Sequence, residues 1–300
     1  MGKVIGTLVT VGVIALVAGA VVVGVGYATT KNEEYNTQEH EFEDNFKDFV
    51  VNTETSDIEF KKSEDGKNKI VCFEGENAES EVTFEGNTLK ITQVDNRPWY
   101  KKWFFNWGWI NGKEMKVTVY LAGDTYNNLE IESKIGDVEV ASGFTFNTVD
   151  VSTNTGSIEA TDMTADSLKA KSDTGKMEFK NINVAGDIKV EKHTGKMIIE
   201  DSHCGNMDVE STTGSVEVEK TIADGHMNIK SSTGSIKFDS ADAATLSLES
   251  STGSIKGSFL TAKRFQASSS TGAVNVPNTD GGLCVVKTST GSIKLTVVGE

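Results

Sequence analysis

Residues 250–255 read SSTGSI, and the same letters return as NTGSI at 154–158, TTGSV at 212–216, SSTGSI at 231–236 and STGSI at 289–293. The glycines of this motif and its weaker copies stand at Gly136, Gly156, Gly175, Gly195, Gly214, Gly234, Gly253, Gly272 and Gly291, always 19 or 20 residues apart. So regular a period marks a solenoid, in which each unit is stable only when stacked on its neighbours.

The residues around each glycine carry the fold. Seven and five positions before it, and two and four after it, apolar residues alternate with polar ones. Examples are Val149/Val151 with Ile158/Ala160 around Gly156, and Met227/Ile229 with Ile236/Phe238 around Gly234. A period of two is that of a half-buried strand. Each unit is therefore expected to be strand, tight corner, strand and a variable loop of roughly eight to ten residues. With inward positions at −7, −5, −3 and −1 and then at +2 and +4, the alternation slips by one residue at the glycine. Such a slip needs a bulge or a positive φ, which glycine reaches without steric cost. The Ser or Thr at −3 and the Thr at −1 are expected inside the bend, their hydroxyls satisfying turning backbone groups. The fold class is all-β, a β-solenoid of about nine coils forming a rod about 43 Å long at ~4.8 Å per coil.

The pattern reaches back in degenerate form. Phe49, Val51, Thr53 and Thr55, then Ile58 and Phe60, take the same offsets around Ser56. Between them and Gly136 lie NKIVCFE, SEVTFEG, NTLKITQ and MKVTVYL, spaced like meander hairpins. The expected organisation is a membrane helix at 1–30, an acidic linker at 31–44, an N-terminal β cap at 45–122 with a Trp-rich insertion at 97–113, and solenoid repeats at 123–300. The cap would close a sheet edge otherwise open to aggregation.

From Val4 to Ala28 the chain has no charge and no proline. That length matches the ~30 Å hydrocarbon layer as a helix. A cleaved signal is the alternative, but its apolar region is usually only about 7 to 15 residues, which favours an uncleaved single-pass anchor. Lys3 on one side and the acidic stretch after Lys31 on the other favour the C-terminal domain outside the cytoplasm. Ala15/Gly19 and Ala20/Gly24 are small-residue pairs at the spacing that lets membrane helices self-associate.

The net charge of −15, with no basic stripe, excludes nucleic acid as a partner, because phosphate neutralisation needs clustered Lys and Arg. Cys72, Cys204 and Cys284 are odd in number and lack metal or disulfide spacing, so they are expected to be buried.

From residue 45 to the end the chain resembles a bacterial family of β-strand-repeat domains called "putative adhesin", a domain of unknown function. The resemblance rests on FVVNTETSDIEFKKSEDGKNKIVC, NTLKITQ, RPWYKKW, KVTVYLAGDTYNNLEIESKIGDVEV and the STGSI units. It implies a cell-envelope location behind a membrane segment and, for some members, a part in envelope-stress responses. It supplies no catalytic residue. Ala122 stands where many members have proline.

No GxSxG, GxxxxGK[ST] or HExxH motif is present. His40, His193, His203 and His226 fall at unrelated offsets, and His203 and its neighbour Cys204 would point to opposite faces of a strand. No catalytic residue, metal site or cofactor is therefore assigned. Three positions after the glycine, facing out, stand Glu139, Glu159, Glu178, Ile198, Glu217, Lys237, Lys256, Asn275 and Lys294. Neighbouring carboxylates about 5 Å apart resemble a retaining glycosidase pair, but any ladder of like residues gives that spacing. The passage from acidic to lysine-bearing coils could guide end-to-end or partner contacts.

The segment that does not repeat is 97–113, RPWYKKWFFNWGWINGK. It holds Trp99, Tyr100, Lys101, Lys102, Trp103, Phe104, Phe105, Trp107 and Trp109. Aromatic rings beside cations suit the membrane interface and anionic head groups, or else the rings cap the open end of the solenoid. The expected function is a non-enzymatic, membrane-anchored, extracytoplasmic binding or scaffolding module at the bacterial envelope, with an envelope protein, glycan or peptide as partner. Alternatives are an envelope-stress sensor of membrane or cationic peptides and, with less support, a glycan-active enzyme.

Overall fold

The computed structural model describes residues 35–42, 46–75, 77–96 and 115–298. The expected spanning helix at 1–30 and the Trp-rich segment lie outside them. Among the described residues there is no helix long and apolar enough to cross a membrane.

The first nine strands are β1 (Tyr35–Phe42), β2 (Asp48–Thr53), β3 (Asp57–Lys62), β4 (Asn68–Gly75), β5 (Ala78–Glu85), β6 (Thr88–Asp95), β7 (Lys116–Leu121), β8 (Asn128–Ile135) and β9 (Val138–Val140). The repeats continue with β10 (Thr145–Thr155), β11 (Ile158–Thr161), β12 (Thr164–Thr174), β13 (Met177–Lys180), β14 (Asn183–Thr194), β15 (Met197–Glu200), β16 (His203–Thr213) and β17 (Val216–Glu219). The last are β18 (Ile222–Thr233), β19 (Ile236–Thr252), β20 (Ile255–Phe259), β21 (Lys263–Thr271), β22 (Val274–Asn275), β23 (Gly282–Thr290) and β24 (Ile293–Val297).

Strands before the glycine corner stack in parallel as one sheet, and those after it as a second. The two sheets face each other over one core. About eight turns stack in regular order, from β2/β3 through β8/β9 and β10/β11 to the second half of β19 with β20. Val149, Val151, Ile158, Met177, Phe179, Ile188, Met207 and Phe238 are each at most 3% exposed, so the inward positions read from the period of two are the core.

Both ends depart from chain order. Strands β6 and β7 lie outside β2 and β3, parallel to them, and are covered in turn by antiparallel β5 and β4. The expected meander of hairpins is thus, in part, a further coil. Strand β1 pairs antiparallel with β4, so the acidic stretch expected as a linker is a strand from Tyr35 onward. At the other end β23/β24 is inserted between β19/β20 and β21/β22. The nine glycines therefore do not stack in sequence order: Gly291 sits between Gly253 and Gly272.

The expected eight-to-ten-residue loop is mostly strand. A second corner follows Thr161, Lys180, Glu200, Glu219 and Asp239, made by Asp162, Asn181, Asp201, Lys220 and Ser240 at φ 44–51°. Asp and Asn tolerate this left-handed conformation better than most side chains. The extra residue of a 20-residue coil is absorbed as a bulge, for example between Val184 and Asp187 opposite Cys204 and Asn206.

Candidate functional site

The repeated motif is a corner. Gly175 has φ +149°, and a Cβ there would lie 1.9 Å from the carbonyl oxygen of Gly156 on the adjacent coil. Successive backbones touch at this corner, so glycine is required both by its dihedral and by the close approach. The Gly156 amide donates to the Thr174 carbonyl at 2.8 Å, and the same bond repeats along the stack. At −3, Thr153 donates to Gly136 O at 3.3 Å, Ser250 to Gly234 O at 3.1 Å and Thr288 to Gly253 O at 3.0 Å. These −3 hydroxyls do what the sequence pattern predicts, whereas those of Ser211 and Ser231 are buried with no hydrogen-bond partner among the described residues. The threonines at −1 do not, because Thr155, Thr174, Thr194, Thr213, Thr233 and Thr252 are exposed. The parity slip falls between −3 and −1, ahead of the glycine, whose carbonyl is left facing the neighbouring coil.

One member of the −3 ladder breaks the pattern. Lys192 is 2% exposed among serines and threonines, with its Nζ donating to Gly175 O and, among the described residues, no carboxylate beside it. Burial pulls its ammonium down to about 8. Native Lys192 releases its proton near that value, whereas the unfolded chain holds it to about 10.4. In this window the unfolded state binds more protons, so stability rises with pH through it and stays lower below pH 8. Lys192→Ser restores the ladder residue. We expect it to stabilise the protein by about 2 kcal/mol at pH 7, the relief of burying charge less the lost burial of the lysine stem. The gain should shrink by pH 10, as read by urea unfolding at both pH values.

A groove of about 580 Å³ runs along this corner over the later coils. Glu191, Glu210, Lys230, Glu249 and Lys287 form one wall, and His193, Thr212, Ser232, Ser251 and Ser289 the other. The charges answer each other between adjacent coils: Lys171–Glu191 at 3.9 Å, Lys230–Glu210 at 3.8 Å and Lys287–Glu249 at 3.7 Å. Exposed pairs of this kind contribute only about 0–1 kcal/mol each. Their arrangement suits a long ligand lying across several coils rather than a compact one.

The outward ladder on the other sheet is similar. Lys176 sits between Glu159 and Glu178, 3.8 Å from the former, and Lys196 pairs with Glu217 at 2.9 Å. The two carboxylates spaced like a glycosidase pair thus share a lysine. His193, His203 and His226 each meet one aspartate: Asp173 at 2.9 Å, Asp224 at 3.1 Å and Asp208 at 3.3 Å. Cys204 is buried, with its thiol pushed up to about 12 by that burial, while His203 beside it is exposed. Cys72 and Cys284 are likewise buried. Among the described residues no group of three or more His, Cys, Asp or Glu could hold a metal ion.

Two features escape the period-of-two reading, Lys192 and a buried ion pair. Asp242 and Lys263, 7% and 4% exposed, are in contact. Lys263 also donates to Ala243 O at 2.8 Å, and Asp242 accepts from the amide of Thr261 at 2.7 Å. Since β21 is separated from β19 by β23, Lys263 reaches across the inserted coil, where Gly282 has no side chain to block it. In the cap, burial pushes the Glu59 carboxyl up, but ion pairs with Lys116 (2.6 Å) and Lys61 outweigh it and hold the group below its ordinary value.

Corner glycines, paired charge ladders and a long groove define a repeat protein of the β-solenoid class. Over residues 46–296 the chain matches the model of the family described as Toastrack DUF4097, and it belongs to that family. No curated protein matches it significantly. Its fold is similar to a "putative adhesin" of Bacteroides fragilis (16% identity, 88% of this chain and 97% of that one, TM-score 0.47). It is also similar to a "putative lipid binding protein" of Parabacteroides distasonis (15% identity, 86% and 96%, TM-score 0.39). A "putative cell adhesion protein" of Clostridium sporogenes is looser (11% identity, 88% and 100%, TM-score 0.27).

Proposed function

We propose that the chain is a non-enzymatic, membrane-anchored binding module that carries an acidic β-solenoid outside the cytoplasmic membrane of a bacterium. The observation that carries this reading is the groove, which crosses several coils and is lined by repeating hydroxyls and neutralised charges. A reaction needs one distinct constellation, whereas an extended partner such as a glycan or polypeptide needs a repeated surface. The apolar stretch at 4–28 supplies the anchor, and the aromatic and basic segment at 97–113 supplies a contact with the bilayer or an envelope partner.

The test is to replace Trp99, Trp103, Trp107 and Trp109 by Ser and to measure vesicle flotation with anionic and neutral lipid, together with thermal stability. The expected result is loss of vesicle association beyond that given by the anchor alone. Unchanged stability, membrane association and partner binding in the fourfold variant would remove the segment from the function. The residual enzymatic reading has its own check, since glycan cleavage lost on Glu159→Gln or Glu178→Gln would overturn a pure binding role.

A further inference from the structure

The two ends of the solenoid differ. At the N-terminal end the outermost coil has its inward residues sealed, with Leu89 and Ile91 at 0% and Val117 and Val119 at no more than 1% exposure. Antiparallel β5 and β4 lie along its strands. At the C-terminal end the outermost coil is β21/β22, and among the described residues no strand pairs with its far edge. Its inward positions, Phe265, Ala267 and Val276, are only partly buried, and Val274 is 42% exposed. Among the described residues, the far edge of β21 thus has no strand partner, beside a partly open apolar core.

Charge narrows what would complete this end. Residues 253–298 carry five cations against the single anion Asp280, in a chain whose net charge is −15. Lys263 is bound inside by Asp242, but Arg264, Lys256 and Lys294 are exposed, and none of them has a salt bridge among the described residues. Lys256 and Lys294 are ladder partners, and Arg264 lies on the edge strand itself. Cations on an edge keep two such ends from pairing with each other, and they attract a strand of opposite charge.

We propose that the C-terminal end is a β-augmentation site for an extended acidic polypeptide segment of a partner protein. The segment would add as a strand beside β21. Its backbone would take up the free edge, its alternate apolar side chains would cover Phe265 and Ala267, and its carboxylates would meet Arg264. The tie from Lys263 across the inserted coil to Asp242 and Ala243 holds the receiving strand in place, so little ordering is left for the moment of binding. The groove reaches β21 through Ser268 and Ser270, but Arg264, Phe265 and Ala267 lie outside its lining, so the proposal does not depend on the groove.

The experiment uses the full chain in detergent micelles and an acetylated, amidated peptide of sequence Thr-Glu-Val-Glu-Phe-Glu-Thr, with a counterpart carrying Lys for each Glu. Fluorescence anisotropy should show the acidic peptide binding at least about tenfold more tightly than the basic one, with affinity falling as salt rises. The amides of β21 should gain protection from hydrogen exchange on binding. Arg264→Glu, an exposed substitution that leaves the core intact, should weaken the acidic peptide about tenfold. Equal binding of both peptides, binding without protection of β21, or no effect of Arg264→Glu would overturn the proposal. So would protection of the β21 amides that rises with protein concentration in the absence of peptide, because a second copy would then be the occupant.

Discussion

Gly175→Ala should unfold the protein or cost it on the order of 4–5 kcal/mol, more than almost any single methyl group. The added Cβ would lie 1.9 Å from the Gly156 carbonyl oxygen and 2.4 Å from its carbon, so the two coils would have to separate. That separation breaks the 2.8 Å bond from Gly156 N to Thr174 O and loosens the ladders on both sheets. The strained dihedral alone does not account for the expected size. Gly66 also has a positive φ, +73°, but an added methyl group there would meet nothing within 4 Å, so Gly66→Ala should cost only about 1 kcal/mol. Urea unfolding of the two variants side by side separates crowding from backbone strain, and similar losses would show that contact between coils is not what demands glycine.

Asp242→Ala should cost about 4 kcal/mol, because it leaves the Lys263 ammonium buried without its counter-charge and removes the acceptor for the Thr261 amide. The pair replaced together, Asp242→Leu with Lys263→Met, should recover most of the loss, since a well-packed apolar pair is often no worse than a buried ion pair. Thermal unfolding of the single and double variants measures both. If Asp242→Ala proves as stable as the parent, the tie across the inserted coil does not hold the end together.

Much of this architecture is legible from residues alone. The glycine spacing and the alternation of residues such as Val149, Val151 and Ile158 define the coils and their core, because both follow from stacking strands at a fixed distance. The second corner is hidden because Asp162, Asn181, Lys220 and Ser240 adopt left-handed backbone with no glycine to mark it. The inserted coil is hidden for a different reason. The units around Gly272 and Gly291 carry the same STG pattern, so nothing in their periodicity ranks them in space. The signal is local: Lys263 at an inward position and Gly282, which leaves it room. Lys192 is open to detection by aligning the coils, since it stands where the others have Ser or Thr. Of the candidate functional residues, the aromatic set at 97–113 stands out by composition, whereas the groove depends on side chains from consecutive coils meeting and has no linear motif.

The inserted C-terminal coil also bears on how the molecule is made. From β8 to β20 each coil can settle on the one before it as the chain emerges, in the manner of a zip. The unit around Gly272 then appears before the place it finally occupies exists, because the strands that separate it from β19 come last. During synthesis the half-built rod must hold that unit aside, or let it occupy the slot and give it up again, until Ile293–Val297 arrives. A chain cut near residue 285 would lack β24 and part of β23, and the coil behind them would lose its seat. Completion of the solenoid stack is thereby registered at β24.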